Sequence, residues 1–166
     1  MTHDLVRRLQ QLDVVYREPV VLKNAGVSDT YIDIKKACGH PDVLRSLCDL
    51  LWERMDKSVT CIAAAGYGGL SLASVLSVQQ GVYLTLVRDE QKKHGKGGWI
   101  DGYVPNEHDR ITIVDDVFTT CGSLRKMIRV LKPTKARILG CCVVVKRGDG
   151  ELNVPLTYLL TSEELL

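Results

Sequence analysis

Apolar residues recur along the chain at two different periods. Leu5, Leu9 and Leu12 fall on one helical face and predict a short amphipathic helix over residues 2–12. A second helix is expected over residues 41–55: it follows a Gly-His-Pro stop, tolerates the proline in its first turn, and sets Leu44, Leu47, Leu51 and Met55 at core spacing. Four continuous apolar runs, residues 59–64, 82–87, 111–114 and 138–145, have the character of strands buried on both faces. Helical stretches at residues 70–78 and 123–131 lie between them, so strand and helix alternate. That order predicts an α/β, Rossmann-like fold, with a mostly parallel central sheet flanked by helices. Ligands of such sheets bind beyond the carboxyl ends of the strands. No repeat, low-complexity tract or linker interrupts the pattern, and residues 1–166 are expected to form a single domain.

Composition narrows the function classes. The 166 residues are 45% hydrophobic and 25% charged, enough for a real core. No apolar run approaches the roughly 18 residues of a membrane span, and the first residues mix charges at helical spacing, so a cytoplasmic protein is expected. The six cysteines lack the CxxC pairs of a zinc site, and five read as reduced core residues. A net charge of +2 and nine scattered aromatics (one Phe, two Trp, six Tyr) argue against nucleic acid. Any anion site is therefore local.

Residues 111–124, ITIVDDVFTTCGSL, are the most informative. A buried-type strand ends in Asp115 and Asp116, and a hydroxyl- and glycine-containing loop then enters a helix. Loop N–H groups, the helix N-terminus and the hydroxyls of Thr119, Thr120 and Ser123 can surround a phosphate monoester. The two acids would repel that phosphate, so they suit another part of the ligand: ribose hydroxyls, or a sugar ring that becomes cationic in the transition state. An isolated Asp-Asp pair is more often the start of a turn before a helix capped by Thr or Ser; the complete motif is much rarer.

VDDVFTTCGS resembles the binding motif for 5-phosphoribosyl-1-pyrophosphate (PRPP) of type I phosphoribosyltransferases, with Cys121 where the family usually has a small residue such as glycine. The resemblance implies the fold of that family, including a small N-terminal hood, and Mg²⁺ held mainly by PRPP and water, with Asp115 and Asp116 the carboxylates at hand.

Between the second and third core strands, VRDEQKKHGKGGWIDGYVP (residues 87–105) is too long and polar for a simple connector and is expected to be a lid-like loop. It concentrates Arg88, Lys92, Lys93, His94 and Lys96 among glycines. At about 4 Å, two unit charges interact by roughly 4 kcal/mol at an effective dielectric of 20, so a lysine meeting departing pyrophosphate would lower the barrier usefully. The segment resembles the R-K-E-x-K-x-H-G catalytic loop of orotate phosphoribosyltransferases, with Asp89 where a second lysine is common. The resemblance implies that Lys92 and His94 act on pyrophosphate in the neighbouring subunit's site, hence a homodimer in which residues 88–98 reach across.

Residues 63–73, AAAGYGGLSLA, join a strand to a helix through a glycine turn and lack the lysine of a Walker A loop. The family's pyrophosphate turn lies here, which implies roles for Tyr67 and Gly68 beside Arg88 and Lys93. Residues 20–37, VVLKNAGVSDTYIDIKKA, resemble the orotate family's L-K-S-G-x-x-S-P-Y-x-x-D segment, with Lys23 at the substrate-facing lysine. In VVVKRGDG (residues 143–150), Arg147 matches the arginine offered to the orotate carboxylate, for which a planar guanidinium is the natural partner.

The resemblance thus implies orotate phosphoribosyltransferase activity. Asp115 and Asp116 serve the ribose; Thr119, Thr120, Cys121, Gly122 and Ser123 the 5′-phosphate; and Lys23, Thr119 and Arg147 the base. Two alternatives stay open. One is a phosphoribosyltransferase for a purine or uracil; the other is a PRPP-sensing regulator without catalysis, although the dozen residues before the enzyme-like region are too few for a helix-turn-helix.

Overall fold

The computed structural model describes residues 2–17, 20–22, 26–28, 30–92 and 98–166. In chain order the elements are α1 (Thr2–Gln11), β1 (Val15–Tyr16), β2 (Val20–Leu22), β3 (Gly26–Ser28), β4 (Tyr31–Ile32), α2 (Ile34–Cys38), α3 (Pro41–Arg54), β5 (Cys61–Ala64), α4 (Gly66–Gln80), β6 (Tyr83–Lys92), β7 (Gly98–Gly102), β8 (Arg110–Phe118), α5 (Gly122–Leu131), β9 (Arg137–Lys146), β10 (Leu156–Thr161) and α6 (Ser162–Leu165). A six-stranded sheet runs in the order β10-β9-β8-β5-β6-β7. Every pairing in it is parallel except β6 with β7. The short antiparallel pairs β1–β4 and β2–β3 lie outside this sheet, while α1 and α2 pack their apolar residues into the main core.

Alternation along the strands divides the core in two. Ile62, Ala64, Val114 and Val144 point to one face, where they bury Leu47 and Leu51 of α3 and Leu72 and Leu76 of α4. Cys61, Ala63, Ile113 and Val143 point to the other, against Leu124, Met127 and Leu131 of α5. Five cysteines are buried and Cys38 is half-buried, all free; burial pushes the Cys141 thiol up to about 12, so it packs as a small apolar group.

Two features differ from the expectation and matter for the site. Residues 87–92 and 98–102 are paired strand rather than open loop: β6 continues to Lys92, and antiparallel β7 pairs Asp101 with Leu86 and Ile100 with Val87. Backbone pairing needs no apolar run, and an Arg88–Asp101 ion pair ties the two polar strands together. Likewise β8 does not stop at the acids but runs on to Phe118, pairing Asp115 with Val143 and Phe118 with Lys146 of β9. Its other neighbour, β5, pairs only with Ile111, Thr112 and Ile113. β8 therefore overruns β5, and a crevice opens at its carboxyl end.

That crevice is the topological switch of the sheet. From β5 the chain proceeds outward to β6 and β7, and from β8 it proceeds the opposite way to β9 and β10. The helices that follow diverge there, which leaves room for a ligand.

Candidate active site

The first turn of α4 closes one side of the crevice, and its glycines explain how. A Cβ on Gly68 would lie 2.1 Å from Asp116 Oδ2, and one on Gly69 would lie 2.8 Å from the Val114 carbonyl oxygen. The glycine segment is thus the beginning of a helix pressed against the acidic strand, rather than a separate turn before it. The positive end of α4 faces the Asp116 carboxylate, a favourable arrangement for a negative charge.

The two acids have different surroundings. Asp115 is buried, and its Oδ1 accepts a hydrogen bond from the Asp116 backbone N–H at 2.9 Å. Burial first, and then the adjacent Asp116 charge, hold its carboxyl well above the usual carboxylate range, while Ser123 opposes the shift by hydrogen bonding. Asp116 is the more open, with 18% of its side chain exposed, and it lines a cleft of about 130 Å³ with Tyr31, Lys35, Val117, Thr119 and Arg147. Three residues singled out from sequence, Asp116, Thr119 and Arg147, therefore meet in one place.

Lys35 and Tyr31 complete the cleft. The Lys35 ammonium lies 2.8 Å from Asp33 Oδ1, 3.1 Å from the Tyr31 hydroxyl and 3.9 Å from Asp116 Oδ2. Burial alone would lower its pKa; the two acids and the hydroxyl outweigh that and raise it, so the lysine is a permanent cation. Sequence reasoning assigned neither residue. Tyr31 lies one place past the tyrosine of the matched segment, which falls on Thr30 here, and α2 buries Ile34 and Ala37, which leaves Lys35 on the open side.

The turn read from the sequence as a phosphate site lies between β8 and α5. Thr120, Gly122 and Ser123 are exposed at its rim and Thr119 is half-buried. Cys121 has a left-handed backbone (φ 59°, ψ 10°), the conformation that favours glycine. Its side chain is buried in the α5-side core, so any role in phosphate binding falls to its backbone rather than its thiol.

On the far side of the α4 first turn, a larger cavity of about 490 Å³ is lined by Gly66, Tyr67, Arg88, Asp89, Glu90 and Asp101. Arg88 and Tyr67 thus share a cavity that includes Gly66 at the start of α4, the helix whose Gly68 approaches Asp116. Asp89 has a partner of its own: Lys126 of α5 donates to its carbonyl, lies 3.8 Å from its carboxylate, and stacks over the Trp99 ring at 5.4 Å. Lys23, Lys93 and His94 lie outside the described residues, as does the side chain of Lys92, whose backbone closes β6.

This geometry, an acid pair and a hydroxyl- and glycine-containing turn at the switch point with the Lys35 and Arg147 cleft beside them, can be set against known proteins. A model of the phosphoribosyl transferase domain matches residues 40–159. The orotate phosphoribosyltransferase of Methanopyrus kandleri is 36% identical over 151 residues, spanning 87% of this chain and 81% of that one. The orotate phosphoribosyltransferase of Pyrococcus furiosus is 33% identical over 153 residues, 90% of this chain and 84% of the other. In three dimensions, the crystal structure of orotate phosphoribosyltransferase from Aeropyrum pernix superposes with a TM-score of 0.84 at 29% identity, covering 98% of this chain and 96% of that one. The crevice at the end of β8 therefore sits in a type I phosphoribosyltransferase fold, and the chain belongs to the phosphoribosyltransferase family, among the orotate phosphoribosyltransferases.

Proposed function

We propose that the protein transfers the 5-phosphoribosyl group of PRPP to orotate, giving orotidine 5′-monophosphate and pyrophosphate. The observation that carries this reading is the meeting of Asp116, Thr119 and Arg147 in one cleft at the sheet's switch point. Residues 119–123 would take the 5′-phosphate through N–H groups and hydroxyls at the start of α5. Asp116, the open acid, would accept from the ribose hydroxyls and steady the ring's developing positive charge, with Asp115 as its buried support. Arg147, with Lys23 and Thr119, would orient the base through its carboxylate. Orotate's ring nitrogen is acidic, so no dedicated general base is required.

Pyrophosphate would leave past Gly68 toward the larger cavity, where Tyr67 and Arg88 stand, with Lys92, Lys93 and His94 supplied by the segment between β6 and β7. Asp116 is a partly exposed hard-oxygen donor, which fits Mg²⁺. No group of three ligating side chains forms among the described residues, so most of the shell would be PRPP oxygens and water. When bound, the ion neutralises the charge that builds on pyrophosphate.

The reading includes a single-domain, cytoplasmic homodimer in which residues 88–98 reach the neighbouring site. It is supported by the exposed Tyr67 on α4, Tyr83 at the start of β6 and Val104 just past edge strand β7. Among the described residues no helix is long and apolar enough to cross a membrane.

The test is an initial-rate assay with PRPP, Mg²⁺ and a panel of bases. Loss of orotate absorbance, with purines and uracil spared, is expected. Turnover of another base in place of orotate would reassign the substrate. Calorimetric binding of PRPP with no product from any base would make the protein a sensor.

A further inference from the structure

Residues 147–151 leave β9 and lie directly on the phosphate turn. The Arg147 N–H donates to the Phe118 carbonyl at 2.7 Å. Gly148 (φ +119°) passes so near that a Cβ would be 2.9 Å from the Thr119 carbonyl oxygen. Gly150 has no room for a side chain either: its Cβ would meet Cys121 Sγ at 2.9 Å and Phe118 Cζ at 3.1 Å. The Cys121 thiol itself lies 3.5 Å from the Glu151 carbonyl oxygen, which also accepts from Arg125 Nη2 at 2.7 Å and Nε at 3.2 Å. A side chain is thus kept at a left-handed backbone position that favours glycine, and it fills the space under a glycine of the neighbouring segment.

We infer that Cys121 is a positioning residue for the base: seated in the phosphate turn, its thiol acts as a spacer beneath residues 150–151 and thereby fixes where Arg147 stands. The inference rests on the reading of Arg147 as the base's carboxylate partner. Cys121 touches neither base nor phosphate through its thiol. It makes the phosphate turn and the base-recognition segment one packed unit, so a change in the turn is felt by the other substrate.

The test is a cycle of four proteins: wild type, Cys121→Gly, Gly150→Ala and the double variant. Glycine suits the left-handed backbone at 121, so the first variant removes the spacer without straining the turn. Each single variant is expected to raise KM for orotate about 5- to 10-fold and to change KM for PRPP less than about 2-fold; the double variant, in which the new methyl occupies the vacated space, recovers most of the loss. A rise confined to PRPP KM, or additive losses without recovery, would overturn the inference. Amide hydrogen exchange supplies a readout that needs no substrate: faster exchange at residues 147–151 in Cys121→Gly, restored in the double variant, supports the coupling, and unchanged exchange rejects it. Failure of wild type to consume orotate would count against the proposed substrate, while the exchange result would still decide the coupling.

Discussion

Two buried aspartates, one near each end of β8, are held in opposite ways. Asp109, just before the strand, accepts from the Thr60 hydroxyl, the Tyr103 hydroxyl and the Asn106 backbone N–H, each at 2.9 Å. Burial alone would raise its pKa; the three donors outweigh that and keep it below the ordinary value. Asp115, toward the far end, is as shielded from solvent but sits deeper in the fold and beside a second carboxylate; burial first, and then that neighbouring charge, push it upward. Three donors make an aspartate part of the scaffold. A like-charged neighbour at a strand's carboxyl end leaves unresolved electrostatics that a ligand can use, and such groups concentrate at functional sites.

The comparison is broken most directly at Asp116. Asp116→Asn is expected to lower kcat/KM about 100-fold or more, as for loss of one charge-stabilising group, with little change in unfolding temperature. Asp109→Asn should do the reverse, leaving kcat/KM within about 3-fold but costing roughly 1–3 kcal/mol in denaturant unfolding, because a donor replaces an acceptor that three groups need. Equal kinetic losses in both would erase the distinction between the two ends. Next in size, Arg147→Ala should raise KM for orotate about 10- to 100-fold, the worth of a charge-assisted bond of roughly 1.5–3 kcal/mol, while KM for PRPP stays near wild type.

A smaller effect tests the close approach of α4 to Asp116. Gly68→Ala places a methyl where Asp116 Oδ2 now lies, so the acid has to turn away. An approximately 10-fold fall in kcat/KM is expected, with the helix itself intact or slightly favoured, since alanine exceeds glycine in helix propensity by about 1 kcal/mol. Unaltered kinetics would show that the close approach has no catalytic consequence.

The gentlest probe is pH. The fold favours neutral Asp115, so its contribution to stability is full below the unfolded carboxylate pKa and is lost as pH rises from about 4 through its raised folded value. Asp109 is favoured as the anion, so its contribution is present above about pH 4 and is lost as pH falls through its lowered folded value. Thermal unfolding of Asp115→Asn should therefore decline less than wild type between about pH 5 and 8, and that of Asp109→Asn should decline less on the acid side, below about pH 4. The same slope in both variants would mean that neither environment is as described.

Much of the fold, and the acid end of β8, was legible in the residue pattern, and the exceptions share a cause. Buried apolar runs announced β5, β8 and β9, and the spacing of Leu47 and Leu51 announced α3, because burial on a sheet face leaves a periodic trace. Asp116, Thr119 and Arg147 were visible as a motif. The pairing of β6 with β7 was hidden because it is carried by backbone and by charged residues such as Arg88 and Asp101. The start of α4 was hidden because its glycines serve close contact with another element, which no local pattern encodes. Lys35 looked like any surface lysine until β4 and α2 brought it to Asp116. Cys121 read as a departure in a phosphate loop, and only the packing of residue 150 shows where its thiol goes.

Crystals grown with PRPP, or with a nucleoside monophosphate, would test the central claim most directly. The ligand's 5′-phosphate should lie in the turn of residues 119–123, with its ribose against Asp116 and any base toward Arg147. A ligand found elsewhere, with that turn empty, would contradict the assignment of the crevice at the end of β8.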